Sequence, residues 1–181
     1  MTAGQEAPAA VVAGLIARLV RDVPDYPQPG ILFKDITPLL ADAGAFGQIV
    51  DALAAGHGPV SKVAGIEARG FILAAPVALR LHTGFVPVRK QGKLPAASYA
   101  QSYDLEYGTA TLEVHRDAFR PGERVLIVDD VLATGGTARA TAELVRRSGA
   151  EVAGIAVLLE LGFLPGRSRL EGLDIRSLLV V

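Results

Sequence analysis

Residues Val125–Arg139 read VLIVDDVLATGGTAR. Val125 to Val128 form a short apolar run of the kind used by a strand buried on both faces. Asp129 and Asp130 follow at once, then Ala133-Thr134-Gly135-Gly136-Thr137, then a helical pattern through Ala138, Ala142, Leu144 and Val145. Strand, small-residue loop and helix N-terminus is an arrangement in which successive backbone N–H groups converge on an anion, aided by the positive end of the helix dipole. Gly135 and Gly136 permit close approach and positive φ, and Thr134 and Thr137 add hydroxyl donors. The loop therefore predicts a phosphate cradle. It is not a Walker loop, because no Gly-Lys-Ser/Thr follows a matching glycine spacing. Carboxylates beside such a cradle repel the phosphate, so Asp129 and Asp130 need another part of the same ligand. The vicinal hydroxyls of a sugar suit two carboxylate acceptors, and a ribose 5-phosphate unit carries both features.

Working outward, strands and helices alternate. Lys62–Ile66 (KVAGI) predicts a buried strand, followed by Glu67-Ala68-Arg69-Gly70 and a mostly apolar helix over Phe71–Leu81. Gly84–Val88 predicts a third strand leading into Arg89-Lys90-Gln91-Gly92-Lys93, a local basic cluster. Glu151–Leu159 and Asp174–Val181 predict two more strands, with Gly149 where a helix C-cap belongs. Such alternation implies an α/β fold with a mostly parallel sheet flanked by helices on both faces. Ligands of such sheets bind at the carboxyl ends of the strands, where the 133–137 loop, Arg69 and Arg89 all fall. Arginine suits anions through its planar fork.

Upstream, Ala9–Val23 reads as an amphipathic helix ended by Pro24, lying on the domain or on a second subunit. Pro27-Gln28-Pro29-Gly30 is a rigid turn, Ile31–Asp35 a short extended piece, and Thr37-Pro38 an N-cap with proline at the first helical position. Asp42 caps a helix over Ala45–Ala55. Leu94–Asp104 reads as a loop over a site, and Leu105–His115 as a strand or the returning arm of a hairpin.

A chain of 181 residues fits a single domain, 1–181. Half of it is hydrophobic and a fifth charged, with a formal net charge of −1. That balance argues against nucleic acid or an acidic membrane surface as partner. Without cysteine there is no disulfide framework, thiolate metal site or thiol nucleophile. No apolar run approaches the length of a membrane span, and no basic-then-apolar leader pattern opens the chain. A cytoplasmic protein is expected. His57, His82 and His115 show no ligand spacing.

The DD…TGGT stretch resembles the phosphoribosyl-diphosphate (PRPP) motif of type I phosphoribosyltransferases. YPQPGILFKDITPLL, GIEARGFILAAPVA, PVRKQGKLP, YDLEYGTATLEVH and VLIVDDVLATGGTA occur in the order found in the adenine phosphoribosyltransferases among them. The resemblance runs from about Tyr26 to the last strand. It implies transfer of the 5-phosphoribosyl group of PRPP to adenine, giving AMP and pyrophosphate in purine salvage, with Mg²⁺ held mainly by PRPP and water. It implies a small N-terminal base-binding hood within 1–38 and a mobile catalytic loop over 90–110. Within these, Leu32 and Lys34 would read adenine through their backbone while Phe33 stacks on it. Glu67, Ala68, Arg69, Arg89, Lys90 and Lys93 would face pyrophosphate, with a non-proline cis peptide in the 67–69 loop. Asp129, Asp130, Ala133, Thr134, Gly135, Gly136 and Thr137 would take the ribose and 5-phosphate. Glu106, Tyr107 and Arg69 would be catalytic, Glu106 handling the purine proton at N7 or N9. A homodimer is also implied, with Arg89–Lys93 near the partner. Lys34 stands where many members carry Arg, and Glu67-Ala68 where others carry Asp-Ser.

Overall fold

The computed structural model describes residues 9–104 and 108–181. Its centre is a seven-stranded sheet, built from β3 (Lys62–Ile66), β4 (Gly84–Lys90), β5 (Ser98–Asp104), β6 (Thr109–His115), β7 (Arg124–Leu132), β8 (Glu151–Glu160) and β9 (Ile175–Val180). The order across the sheet is β5-β6-β4-β3-β7-β8-β9. β4, β3, β7, β8 and β9 run parallel, and β5 and β6 close one edge antiparallel. The central strands are apolar on both faces, as a doubly covered sheet requires: Val125, Leu126, Ile127 and Val128 are all fully buried.

Helices cover both faces as expected. α5 (Gly136–Arg147) packs with Ile127, Val125 and Ile155 on one side. α1 (Ala9–Leu19), α2 (Thr37–Ala41), α3 (Ala43–Ala54) and α4 (Arg69–Arg80) share a second core with Leu126, Val128 and Leu158 on the other. Successive residues of β7 thus feed opposite cores, the period-two alternation of a strand. Asp42 caps α3 by accepting from the Ala45 N–H at 2.9 Å.

Several expectations needed correction. The first helix stops at Leu19, because Arg21–Pro24 instead forms β1, paired antiparallel with β2 (Leu32–Asp35) in a separate two-stranded sheet. The helix lies on the domain itself, with Val12 and Ile16 buried against α3 and β9. Thr37 is already helical and does not cap. Asp35 provides the acceptor, taking the Thr37 N–H at 3.0 Å and its hydroxyl at 2.7 Å. Asp129 and Asp130 lie within β7 rather than after it. Leu94–Asp104 is a loop only to Ala97, since Ser98–Asp104 pairs residue by residue with Thr109–His115. Its lack of apolar period hid the strand: the inward face carries half-buried Gln101 between Tyr99 and Tyr103, and only the tyrosines pack on the core.

Candidate active site

The carboxyl ends of β4, β3 and β7, adjacent in the sheet, gather most of the expected residues. At the end of β3, Glu67 and Ala68 are joined by a cis peptide. The Glu67 carboxylate, with 8% of its side chain exposed, accepts from Arg89 Nε at 3.4 Å and from the Lys90 N–H at 2.9 Å, and pairs with Lys93. Burial pushes this carboxyl up, but Lys93, the Lys90 N–H and Arg89 together outweigh it and hold it below the ordinary range. Glu67 therefore gathers Arg89, Lys90 and Lys93 at the end of β4. Arg89 also donates to the Lys93 carbonyl at 3.1 Å, which fixes the turn after β4. Ala68 is exposed at the loop.

Arg69 belongs to a different set. Its Nη2 lies 2.7 Å from Asp130 Oδ2, while Nη1 donates to the Lys34 carbonyl at 3.1 Å. Its guanidinium carbon sits 4.7 Å from the Phe33 ring centre, a cation–π distance. The Asp130 contact is close but poorly aligned, so Oδ2 keeps acceptor capacity despite its burial. The Asp129 carboxyl is pushed well above the ordinary range by burial and then by the Asp130 charge, with the Asp130 N–H at 2.9 Å opposing. Asp130 is raised by burial against the pull of Arg69. Gly70 is required here, because a Cβ would stand 2.8 Å from Asp129 Oδ1 and 3.0 Å from the Val128 carbonyl.

After β7, Gly135 takes φ +80° and opens α5. Thr134 and Thr137 are half-buried, and Gly136 meets the Tyr103 ring and the Asp104 carbonyl of β5. Tyr103 and Asp104 escaped the sequence reading. The Tyr103 hydroxyl is held protonated by burial and by the Asp129 charge, so the β5 arm borders the acids as well as the loop. Residue-type patterning could not have revealed this, since only the hairpin register brings Tyr103 to the loop. Glu106 and Tyr107 lie outside the described residues. A cavity of about 960 Å³ lies along the outer flank of α5, lined by Tyr103, Asp104, Thr134, Gly136, Arg139 and Arg169 among others. It touches the loop but not the acids, Arg69 or β2, and does not mark a base site.

β2 supplies the remaining expected residues. Lys34 Nζ is bound to Asp22 at 2.7 Å, which turns its side chain toward β1 and leaves its backbone toward Arg69. Leu32 is half exposed. Phe33 already has two neighbours, Arg69 and the Tyr26 ring, edge-on at 5.1 Å. A flat ligand on Phe33 must share the ring with them. His57 is packed under α3, bonded to the Leu53 carbonyl at 3.1 Å, and takes no part. Among the described residues no three acidic, imidazole or thiol groups converge as a metal cage, and no helix is long and apolar enough to cross a membrane.

Residues 38–170 match the family model described as phosphoribosyl transferase domain. An adenine phosphoribosyltransferase of Streptomyces coelicolor is 62% identical over 176 residues, covering 94% of this chain and 97% of that protein. The crystal structure of the enzyme of the same name from Thermoanaerobacter pseudethanolicus superposes with a TM-score of 0.91 at 51% identity, covering 93% of this chain and 99% of that one. The Saccharomyces cerevisiae enzyme, solved with a bisphosphate iminoalditol and adenine, gives a TM-score of 0.87 at 36% identity over 94% and 99% of the two chains.

Proposed function

This chain belongs to the phosphoribosyltransferase family, and on that premise we propose how its residues work. It transfers the 5-phosphoribosyl group of PRPP to adenine, giving AMP and pyrophosphate, a purine salvage step. Arg69 carries this reading best, since one guanidinium ties the β7 acids to the β2 backbone and so joins a sugar-donor site to a base site. Backbone N–H groups of 133–137 hold the 5-phosphate. Asp129 and Asp130 accept the ribose hydroxyls. Pyrophosphate competes with Glu67 for Arg89 and Lys93 and meets the exposed Ala68 turn, with Lys90 beside it. The backbone edges of Leu32 and Lys34 read the adenine amino group and ring nitrogen. A 6-oxopurine presents the reverse polarity and leaves buried groups unpaired.

Displacement at the anomeric carbon builds negative charge on the leaving pyrophosphate and positive character on the ribose. Placed charges therefore dominate catalysis: Arg69, Arg89 and Lys93 on one side, the acid pair on the other. Mg²⁺ would be held mainly by PRPP and water, since this hard cation keeps several waters and binds through substrate phosphates rather than a dedicated protein cage. When bound, Mg²⁺ neutralises the leaving group. Glu106, on the 90–110 arm with Tyr107, handles the purine proton at N7 or N9, and closure of that arm excludes water. The protein acts in the cytoplasm as a homodimer. Exposed Ile72 and Leu79 on α4 are apolar surface of the kind a second copy covers.

Incubation with PRPP, Mg²⁺ and a panel of adenine, hypoxanthine, guanine, xanthine and orotate tests the reading. AMP and pyrophosphate in equal amounts are expected, with other bases at least about 10²-fold slower. Equal use of another base would reassign the acceptor, and binding of PRPP without turnover on any base would make the chain a sensor.

A further inference from the structure

The 161–170 segment lies outside every site assigned above, yet it grips the back of the phosphate loop. The Leu161 N–H donates to the Leu132 carbonyl at 2.9 Å, continuing β8 against β7. Gly166 is buried against the loop: a Cβ there would overlap the Ala133 carbonyl oxygen, and a Cβ on Gly135 would stand 2.6 Å from the Gly166 carbonyl. Arg169 Nη1 reaches the Thr134 carbonyl at 3.5 Å.

What holds this segment is a fork. Arg167 donates to Glu160 Oε1 from Nε at 2.9 Å and to Oε2 from Nη2 at 2.6 Å, and Nη1 takes the Ile175 carbonyl at 3.2 Å. Ser177 closes the network on Oε2. Glu160, 9% exposed at the end of β8, is the buried member, and Arg167 is half exposed. Bidentate pairing of this kind fixes orientation as well as charge. Leu170, buried with α5, anchors the far end.

The consequence follows from peptide planarity. In a trans peptide the carbonyl of one residue and the N–H of the next point to opposite sides. The cis bonds of the described chain are Tyr26–Pro27 and Glu67–Ala68, so the loop peptides are trans. With the Ala133 carbonyl against Gly166 and the Thr134 carbonyl on Arg169, the Thr134 and Gly135 N–H groups are turned away from the segment. Flipping either peptide would aim a carbonyl oxygen where an N–H is needed.

We propose that Arg167 and Glu160 are positioning residues for PRPP: their fork presses Gly166 against Ala133–Gly135 and holds the loop with its N–H groups toward the 5-phosphate. This rests on the loop holding the 5-phosphate of PRPP. The test is a set of steady-state titrations of both substrates in Arg167→Ala, Arg167→Lys and Arg169→Ala, with Asp129→Asn/Asp130→Asn alongside. Arg167→Ala should raise the PRPP KM by roughly 10- to 100-fold, the scale of a small misplacement, with the adenine KM changed by less than about twofold. Arg167→Lys, which keeps the charge and loses the fork, should fall between it and the unmodified protein. Arg169→Ala, at an exposed side chain, should raise the PRPP KM by about threefold or more. A folded Arg167→Ala with unchanged PRPP KM, or with both KM values rising together, overturns the proposal. If Arg167→Ala does not fold, Arg169→Ala decides: an unchanged PRPP KM overturns it. If the acid-pair variant itself leaves PRPP use intact, the assignment of the PRPP site fails, and the brace falls with it for a distinguishable reason.

Discussion

Val125–Arg139 and Leu32–Asp35 sit at opposite extremes of the same site. The first is the middle of the sheet, with four fully buried residues running into its acids. The second is half of a two-stranded ribbon whose residues are all exposed or half-buried. One works through side-chain types, carboxylates and glycines. In the proposed reading the other works through backbone edges, on which side-chain identity leaves little mark: Lys34 spends its ammonium on Asp22 and offers a carbonyl to Arg69. A sugar phosphate needs dense charge and close backbone approach, which demand specific residues on a rigid support. A purine edge needs a donor and an acceptor, which any extended strand has. Arg69 bridges the two, through Asp130 on one side and the Lys34 carbonyl on the other.

The comparison can be broken in four ways, taken from the largest expected effect. Glu106→Gln should lower kcat by roughly 10²–10⁴ while leaving both KM values near their original size, separating chemistry from either binding region. Unchanged turnover in steady-state assays would remove Glu106 from the reaction. Asp129→Asn with Asp130→Asn should lower kcat/KM for PRPP by about 10³-fold, the loss of two hydrogen bonds to charged acceptors. Normal PRPP kinetics would remove the acids from the ribose. Phe33→Ala should raise the adenine KM roughly 10-fold, within the range of a lost base–aromatic stack. An unchanged adenine KM would show that Arg69 and Tyr26 already occupy the ring.

The smallest effect is on stability. Burial and the Asp130 charge hold the Asp129 carboxyl well above its ordinary range. The unfolded chain ionises it at ordinary acidic pH and the folded chain only at higher pH. Its cost to the fold is therefore absent below the ordinary carboxylate range and grows as pH rises toward the folded value. Asp129→Asn keeps the oxygen that accepts the Asp130 N–H and removes the charge. Its Tm should exceed that of the unmodified protein by roughly 2–6 °C at about pH 8, with the gap closing toward about pH 4. An equal or lower Tm at the higher pH would contradict the burial account.

The fold was legible because its decisive strands are apolar runs punctuated by glycine and charge: KVAGI, GFVPV and VLIVDD all became strands of the central sheet. The β5 strand was not, since Ser98–Asp104 owes its extended form to pairing with Thr109–His115 rather than to its own composition. The same limit governs the site. The acids and the 133–137 loop are local in sequence and could be read there. Tyr103 at Gly136, Glu67 gathering Arg89 and Lys93, and Gly166 against Gly135 are meetings across strands and segments. Arg69 was legible as an anion-binding cation, but its contacts with Asp130, Lys34 and Phe33 were not. No spacing in the chain announces that an arginine at residue 69 closes on residues on both sides of it.

PRPP titration without a base tests the division of labour most directly. Calorimetric titration of PRPP with Mg²⁺ is made into the unmodified protein, Phe33→Ala and Asp129→Asn/Asp130→Asn. The unmodified protein and Phe33→Ala should bind with Kd values within about twofold of each other, and the acid-pair variant at least about tenfold more weakly. Equal weakening in Phe33→Ala and the acid-pair variant would contradict the separation of donor site from base site.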